Sequence, residues 1–303
     1  MQQRSSRAGA AYALGAYGLW GAVPIFWPLV ARAGALEVLA HRIVWSLVLS
    51  VLLALVLLPK GWLRRIARPR TLAMLTLAAA TVSVNWGLYI WAVNSGHVLE
   101  TSLGYYINPI LSIAVGVLLL GERMAPLQWV SVGLAVLAVV VLTLDYGRLP
   151  WIALVLAASF ATYGVMKKQI NGGAVETLTI ESALLTPVAL VYLAVLQARG
   201  GSTFGTLGWS HSLLLAVTGV VTVVPLLFFA AAATRLPLST LGLFQYLAPT
   251  LQFLLGVFYF GEDMSPGRWV GFGLVWLALM ILTVHGVHGA GSRRRARLVP
   301  EPA

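Results

Sequence analysis

Long apolar stretches alternate with short polar segments along the whole chain. A transmembrane helix needs ~20 mostly apolar residues, and the pattern predicts ten helices of about that length. They lie at residues 9–31, 36–58, 72–94, 98–120, 126–144, 150–167, 175–197, 212–234, 238–260 and 267–285. Ten helices within 303 residues leave room for short loops only. We therefore predict an all-α polytopic membrane protein.

The chain also matches itself at an offset of 140 residues. Residues 103–143 align without gaps on residues 243–283, and 18 of these 41 positions are identical. The matches include glycine, proline, glutamate and tryptophan, which a shared apolar bias alone would not align. Examples are Pro109/Pro249, Gly121/Gly261, Glu122/Glu262, Met124/Met264 and Trp129/Trp269. The sequence therefore predicts two five-helix repeats, at residues 1–147 and 148–288, followed by a tail at residues 289–303.

An odd number of helices in each repeat requires that the second repeat enter the membrane upside down. The charges agree with this inversion, since Arg123 of the first repeat is replaced by Asp263 in the second. The basic run at residues 60–70 likewise has only Arg199 in its counterpart loop. Inverted repeats are a recurring transporter architecture in which the substrate site lies near the bilayer midplane, between the repeats.

Composition and charge support a membrane protein with its termini inside the cell. Hydrophobic residues make up 59% of the chain and charged residues 10%, against roughly 25% charged in soluble domains. Of the 20 Lys and Arg residues, 15 fall on one side of the ten predicted spans and four on the other. The positive-inside rule then places both termini in the cytoplasm. A nucleic-acid partner is disfavoured because the basic residues flank apolar spans.

The tail at residues 289–303 is rich in Gly, Arg and Pro and has no apolar face. Such a composition predicts disorder. Its arginines would hold it near anionic lipid headgroups.

Polar and aromatic residues inside the spans are the candidate substrate-binding residues, because hydrocarbon penalises them unless they face a cavity or one another. Tyr105, Asn108 and Ser112 share one helical face, and Gln245 and Gln252 occupy the positions equivalent to Tyr105 and Ser112. The alternative is that these residues are interhelical contacts. The full candidate set is Trp20, Asn85, Trp86, Tyr89, Tyr105, Asn108, Ser159, Tyr163, Gln245 and Gln252.

Two prolines occupy equivalent positions beside these polar residues. Pro109 and Pro249 each remove a backbone donor from a helix and disturb the preceding turn. Both are candidate hinges of a gating motion. The alternative is a kink that serves packing only.

Three ionisable residues lie well inside spans, namely His41, Arg42 and Glu181. Arg42 is predicted either to contact an anionic substrate or to have a structural role, reaching the interface or backbone carbonyls. His41 and Glu181 are candidate proton-coupling groups, since histidine changes charge near neutral pH. A coupling proton is therefore a possible partner.

Enzyme chemistry finds little support in the sequence. The chain contains no H-E-x-x-H, G-x-S-x-G or P-loop motif. It has no cysteine, and its five histidines have no local metal-ligand spacing. We therefore expect no catalytic residues, no metal and no cofactor. The G-x-x-x-G at Gly267–Gly271 predicts close helix packing, either within the chain or in a homodimer.

Several strings resemble those of a known family. They are A-H-R-I-V-W-S at residues 40–46, N-W-G-L-Y-I-W-A-V-N at 85–94, L-E-T-S-L-G-Y-Y-I-N-P at 99–109 and L-G-E-R at 120–123. With the inverted duplication, they resemble the RarD subfamily of EamA-type transporters, in the drug/metabolite transporter superfamily. The resemblance covers residues 8–285 and implies a bacterial inner-membrane permease that works by alternating access.

The sequence thus predicts a secondary active transporter of small organic metabolites or drugs, with a central cavity between the repeats. Export is expected by analogy with the family. The alternative function is a non-transporting membrane protein that acts in assembly or sensing.

Overall fold

The computed structural model describes residues 2–120, 125–170, 172–236 and 238–296. Side chains are described over the same ranges except at 2–6, 112–113, 115–120, 168, 238–239 and 285–296. The repeated Gly-Glu-Arg-Met segment at 121–124 and residues 297–303 therefore lie outside the described residues, as does the side chain of Ser112.

The described chain is helical and contains no strand, which confirms the predicted all-α class. A 3-10 turn at Trp27–Ala33 follows the first helix, and a π-helical turn at Leu255–Tyr259 follows the eleventh. The helices are α1 Gln2–Phe26, α2 Gly34–Leu57, α3 Trp62–Ile66, α4 Pro69–Asn94, α5 Val98–Leu120, α6 Pro126–Tyr146, α7 Trp151–Gln169, α8 Ala174–Ala198, α9 Trp209–Ala233, α10 Leu238–Phe244, α11 Leu247–Leu254 and α12 Pro266–Ala296.

Seven helical stretches of the described residues are long and apolar enough to cross a membrane, and Trp151–Lys167 is a shorter apolar helix. Many large apolar side chains on these helices are exposed, among them Leu55, Val56, Leu144, Val188 and Phe258. A soluble protein rarely exposes apolar surface on this scale, so these side chains face lipid. The seven stretches are Arg7–Leu57, Pro69–Asn94, Pro126–Tyr146, Ala174–Ala198, Trp209–Ala233, Thr240–Tyr259 and Pro266–Val284.

Prolines and glycines account for the helix ends. Pro126 is the first residue of α6, where its missing N–H is not needed. The Gln128 side chain accepts a hydrogen bond from the Ala125 N–H at 2.8 Å. Gly147 ends the helix with a φ of 65°, a conformation that favours glycine.

Helices from the two halves of the chain interleave. The main contacts between them pair α1 with α9 and α11, α2 with α8 and α9, α4 with α7 and α8, α5 with α7 and α11, and α6 with α12. The core is therefore built largely between the halves rather than within either one.

The pairs α2–α8, α5–α11 and α6–α12 run antiparallel. In the first, Thr179 near the start of α8 donates a hydrogen bond to the Ser50 carbonyl late in α2. In the second, Ser102 early in α5 donates to the Pro249 carbonyl at 2.8 Å, and Leu99 packs beside Gly256.

The third antiparallel pair contains the G-x-x-x-G motif. A Cβ at Gly271 would lie 2.4 Å from the Leu142 Cγ, and one at Gly267 would lie 2.3 Å from an Asp145 oxygen. Because only glycine permits this approach of α12 to α6, the motif serves packing within the chain. A homodimer through this motif is not supported.

The predicted helix at 238–260 is divided. α10 ends at Phe244, and α11 begins at Leu247 after a turn at Gln245 and Tyr246. Pro249 has no N–H to donate to the carbonyl four residues earlier, at Gln245, which weakens the helix at the break without being sufficient to cause it. Pro109 instead lies inside the unbroken α5.

Two other boundaries differ from the sequence prediction. The predicted first span at 9–31 loses its α-helical form after Phe26, because Pro28 cannot donate to the preceding turn. The tail predicted to be disordered from Gly289 instead continues α12 to Ala296. Arginine and alanine in this segment are strong helix formers, and no proline occurs between Pro266 and Pro300.

Candidate functional site

Arg42 is buried in the interior of α2, where 7% of its surface is exposed. Its Nε donates a hydrogen bond to the Thr222 hydroxyl of α9 at 2.8 Å. The guanidinium carbon lies 4.0 Å from the centre of the Trp86 ring and 5.4 Å from that of Trp27. Among the described residues, no carboxylate forms an ion pair with it. We call Arg42, Thr222, Trp27 and Trp86 the arginine cluster.

Unsatisfied hydrogen-bonding groups occur around this cluster. The Trp27 indole N–H and the Tyr89 hydroxyl are buried and have no hydrogen-bond partner among the described residues. Tyr89 lies one turn after Trp86 on α4, packs in the same apolar cluster as Trp27, and is within electrostatic range of Arg42. Such groups typically cost about 1–3 kcal/mol each when unpaired, so they call for a partner that the described protein does not supply.

Asn85 is fully buried and joins three helices. Its amide donates to the Leu156 carbonyl at 2.9 Å and to the Ser159 hydroxyl at 3.0 Å, both on α7. Its carbonyl accepts a hydrogen bond from the Tyr105 hydroxyl of α5 at 3.1 Å. The structure therefore brings together three of the predicted site residues, Asn85, Tyr105 and Ser159, which we call the asparagine cluster.

Glu181 is buried on α8 and has two partners on α7. Lys167 donates to its carboxylate at 2.9 Å, and the Tyr163 hydroxyl does so at 3.2 Å. Its charge is therefore compensated by Lys167, a residue that the sequence analysis did not assign to the site. Lys167 lies in the last turn of α7, within reach of the interior through its long side chain. We call these three residues the carboxylate cluster.

His41 has different surroundings from Glu181. Its ring stacks on Phe204 at 4.7 Å between centroids, and its Nε2 is buried without a partner among the described residues. His41 also lines a recess of about 420 Å³ between α2 and α8, together with Trp45, Leu193, Gln197 and other residues. Among the residues that the structure describes, His41 and Glu181 share no hydrogen-bond partner, so the described groups do not join them in a single proton relay.

The remaining predicted residues lie on α1, α5 and the divided helix. The Gln252 amide donates to the Trp20 carbonyl at 3.2 Å, while the Gln252 carbonyl oxygen is buried without a partner among the described residues. Gln245 is half-buried at the break between α10 and α11, and Asn108 is half-buried on α5. None of the ten candidate substrate-binding residues lines the recess at His41.

Two carboxylates near the ends of helices were missed by the sequence analysis. Glu262 accepts hydrogen bonds from the Val98 and Leu99 N–H groups, the latter at 3.1 Å, at the start of α5. Glu100 accepts from Arg148 at 2.7 Å and from the Ile152 N–H at 3.0 Å. Burial raises the pKa of Glu262 to about 7. For Glu262 the available signal was the repeated Gly-Glu motif, which in the sequence indicates a duplication.

The EamA-like transporter family matches this chain twice, at residues 7–144 and 149–284. Protein RarD of Streptomyces exfoliatus is 57% identical over 297 residues, covering 98% of this chain and 94% of that protein. Protein RarD of Escherichia coli K12 is 43% identical over 289 residues, covering 95% and 98%. The chain belongs to the RarD subfamily of EamA-like transporters.

Because of this membership and its apolar helices, the chain is a membrane transporter that crosses the bacterial inner membrane several times. An uncharacterized transporter of Vibrio cholerae is 41% identical over 298 residues, covering 97% of this chain and 98% of that protein. A solved crystal structure superimposes on the EamA-like chain with a TM-score of 0.60 at 15% identity, covering 93% of this chain and 99% of the other. At that identity the likeness concerns the fold alone.

Proposed function

We propose that this RarD-subfamily protein is a secondary active transporter that moves small organic metabolites or drugs by alternating access between two inverted five-helix repeats. Export is proposed by analogy with the family. The observation that carries the proposal is the antiparallel packing of equivalent helices from the two halves, because inversion requires that equivalent helices cross the membrane in opposite directions.

The packing pattern supports a two-fold relation between the halves. Helices α1, α2, α4, α5 and α6 correspond in order to α7, α8, α9, the α10–α11 pair and α12. Exchanging the halves converts the α1–α9 contact into α7–α4, and the α5–α7 contact into α11–α1. The pairs α2–α8, α5–α11 and α6–α12 are converted into themselves. A duplication without such a relation would give no reason for this correspondence.

The loops follow the same exchange. Glu37 in the first turn of α2 accepts a hydrogen bond from the Thr203 N–H at 2.7 Å, in the loop after α8. Glu176 in the first turn of α8 pairs with Arg65, in the segment after α2. Glu37 of α2 therefore binds the loop that follows α8, and Glu176 of α8 binds the segment that follows α2.

We place the substrate path along the arginine and asparagine clusters and the polar residues of α11. Intramembrane polar and charged residues usually mark such paths. The divided helix at Gln245 and Tyr246 matches the discontinuous helices that form transporter sites, and Pro249 is the proposed hinge.

Proton coupling through Glu181 is proposed on the same grounds, and transport independent of both pH gradient and membrane potential would contradict it.

Thiol labelling tests alternating access directly, because the chain has no native cysteine. Single cysteines replace Asn108 and Gln252, and membrane-impermeant reagent is applied from each face. We expect labelling from both faces, since each site opens alternately. Labelling from one face alone, or from neither, contradicts alternating access. Labelling from neither also favours the assembly or sensing alternative, in which polar residues such as the asparagine cluster remain sealed contacts.

Three further variants control for insertion and orientation. Lys60→Cys and Arg199→Cys lie at exposed loop positions on the proposed cytoplasmic and external faces, so each should label from its own face only. Val188→Cys, at a residue 71% exposed on the lipid-facing surface, should label from neither. Reversal of the two loop results would contradict the proposed cytoplasmic termini.

A further inference from the structure

Arg42 differs from the other buried charges in the described chain. Glu100, Glu176 and Glu181 each have a cationic partner, and Glu37 accepts several hydrogen bonds from the loop after α8. Arg42 has an aromatic face and one hydroxyl, but no anion. An ion buried without a counter-charge is strongly unfavourable in a membrane interior. A counter-ion supplied from outside the chain would remove this cost.

We propose that the arginine cluster binds the carboxylate of the transported solute, so that the cargo consists of small organic monocarboxylates, including zwitterions that carry a carboxylate. This inference rests on the proposed transport function and adds the class of substrate. The sequence left Arg42 open between an anionic substrate and a structural role.

The geometry fits a carboxylate. A guanidinium presents a planar fork of donors that matches the two oxygens of a carboxylate. The Arg42 Nε is already held by Thr222, and among the described residues no acceptor bonds to Nη1 or Nη2. Stacking on Trp86 at 4.0 Å restrains the plane of the fork. The side chain is thus oriented in advance for a planar anion.

The hydrogen-bonding groups close to Arg42 also favour a ligand that accepts hydrogen bonds. The Trp27 indole N–H can only donate, and the Tyr89 hydroxyl is buried without a partner among the described residues. Trp27 is a member of the arginine cluster, and Tyr89 packs in the same apolar cluster as Trp27. The rings of Trp27, Trp86 and Tyr89 would at the same time contact an apolar or aromatic body attached to the carboxylate.

Charge balance favours a monoanion over a phosphate. The half-buried cation of α7, Lys167, is already paired with Glu181. One carboxylate would therefore neutralise the cluster, whereas a dianion would leave an excess negative charge in the membrane interior. The structural alternative, in which Arg42 reaches the interface, does not agree with its burial or with its bond to Thr222.

Matched acid and amide pairs test this assignment on the purified full-length protein in detergent. The probes are phenylacetate with phenylacetamide and indole-3-acetate with indole-3-acetamide, and binding is followed by tryptophan fluorescence and thermal unfolding. We expect at least one acid to bind the wild type at least about tenfold more tightly than its amide, as charge-assisted hydrogen bonds predict. Equal binding of acid and amide, or no binding of any acid, overturns the proposal.

Variants assign the preference to the cluster. Arg42→Gln should abolish the preference for the acid, because it weakens binding of the acid far more than binding of the amide. Thr222→Val keeps the charge but removes the Nε acceptor, so it should reduce the preference partially and provides a second test if Arg42→Gln does not fold. Arg199→Gln, in an exposed loop, should retain it. An acid preference that persists in folded Arg42→Gln, or tighter binding of inorganic phosphate than of the acids, overturns the proposal.

The labelling experiment separates this inference from the proposed function. If Asn108→Cys and Gln252→Cys label from both faces but no acid binds, the transport proposal stands and the carboxylate assignment is overturned. If the acids bind with the expected dependence on Arg42 and neither cysteine labels, the cluster is a carboxylate-binding site in a protein that does not transport.

Discussion

Glu262 is a single residue that joins the two halves of the molecule outside the spans. Its carboxylate satisfies two N–H groups at the start of α5, which a helix cannot satisfy by itself. The negative charge also lies at the positive end of the helix dipole. Glu262 therefore fastens the segment between α11 and α12 onto the first repeat.

The burial of Glu262 should make stability depend on pH. Burial raises the pKa of Glu262 from its ordinary value of about 4.5 to about 7, so between these values the folded protein binds a proton that the unfolded chain releases. The resulting stabilisation is complete below the lower pKa and is lost as pH rises through about 7. We expect the unfolding temperature of the wild type to fall between pH 5 and 8. The free energy of unfolding should decrease over this range with a slope that corresponds to up to about one proton.

Substitution identifies the group responsible. Glu262→Gln should flatten this part of the pH profile, as measured by thermal unfolding in detergent, because the glutamine does not titrate. Asp263→Asn removes a neighbouring carboxylate that is exposed and should leave the profile unchanged. A profile that is equally steep in Glu262→Gln would show that another group titrates.

At the scale of the element, the equivalent helices α5 and α10–α11 differ although both contain the repeated proline. α5 continues through Pro109, whereas the second helix is interrupted before Pro249 and ends in a π turn. The polar residue at the break, Gln245, replaces the Tyr105 of α5. The two halves therefore differ locally, and in the proposed mechanism the interrupted helix is the gate.

Pro249→Ala tests the gate. An alanine N–H can donate to the Gln245 carbonyl and close the break, which should raise stability by up to ~3 kcal/mol and slow opening. In a Gln252→Cys background, labelling should then be confined largely to one face. Pro109→Ala is the matched control and should change labelling less, because α5 has no break to repair. Equal effects of the two substitutions would mean that neither proline is a specific hinge.

At the scale of the whole molecule, the helices of the two halves pack against one another, and α7 and α8 each contact helices of the first half. The carboxylate cluster links α7 and α8 through Glu181, Lys167 and Tyr163. Protonation of Glu181 would release Lys167 and favour a different arrangement of these helices. A proton gradient could thereby drive the exchange between conformations, since one proton crossing 100 mV supplies ~2.3 kcal/mol.

The expected signature is a labelling rate of Gln252→Cys that shifts when a proton gradient is imposed on vesicles. Glu181→Gln should abolish the shift, because the neutral amide cannot change charge. Asp263→Asn should preserve it. A rate that responds to neither the pH gradient nor the membrane potential in the otherwise unaltered protein would remove proton coupling from the proposed mechanism.

Much of the fold was predictable because its signals are local in the sequence. Apolar stretches of membrane-spanning length predicted the helical class, and the repeated residues from Leu103 to Thr143 predicted a duplication. Local rules failed at the ends of elements. The break at Gln245 and the 3-10 turn after Phe26 lie close to prolines that the hydropathy pattern counted as part of a span.

The sequence pointed to polar residues inside the helices as a candidate site, but it did not reveal the partners of these residues. Asn85, Tyr105 and Ser159 are distant in the sequence, and only packing makes them one hydrogen-bonded cluster. Lys167, Thr222 and Trp27 carried no local sign of a role, because their importance arises from what lies opposite them on other helices. Whether Glu181 is paired and Arg42 is not depends on that placement.

The sequence by itself determined that this chain is a duplicated, all-helical membrane protein, since the lengths of the apolar stretches, the charge distribution and the repeated residues can be read along the chain, and its motifs resembled those of the RarD subfamily. The tertiary structure alone decided which charges are compensated and where the helix opposite α5 is interrupted. The physical reason is that the cost of a buried charge depends on the groups around it in space, and helices from both halves supply those groups.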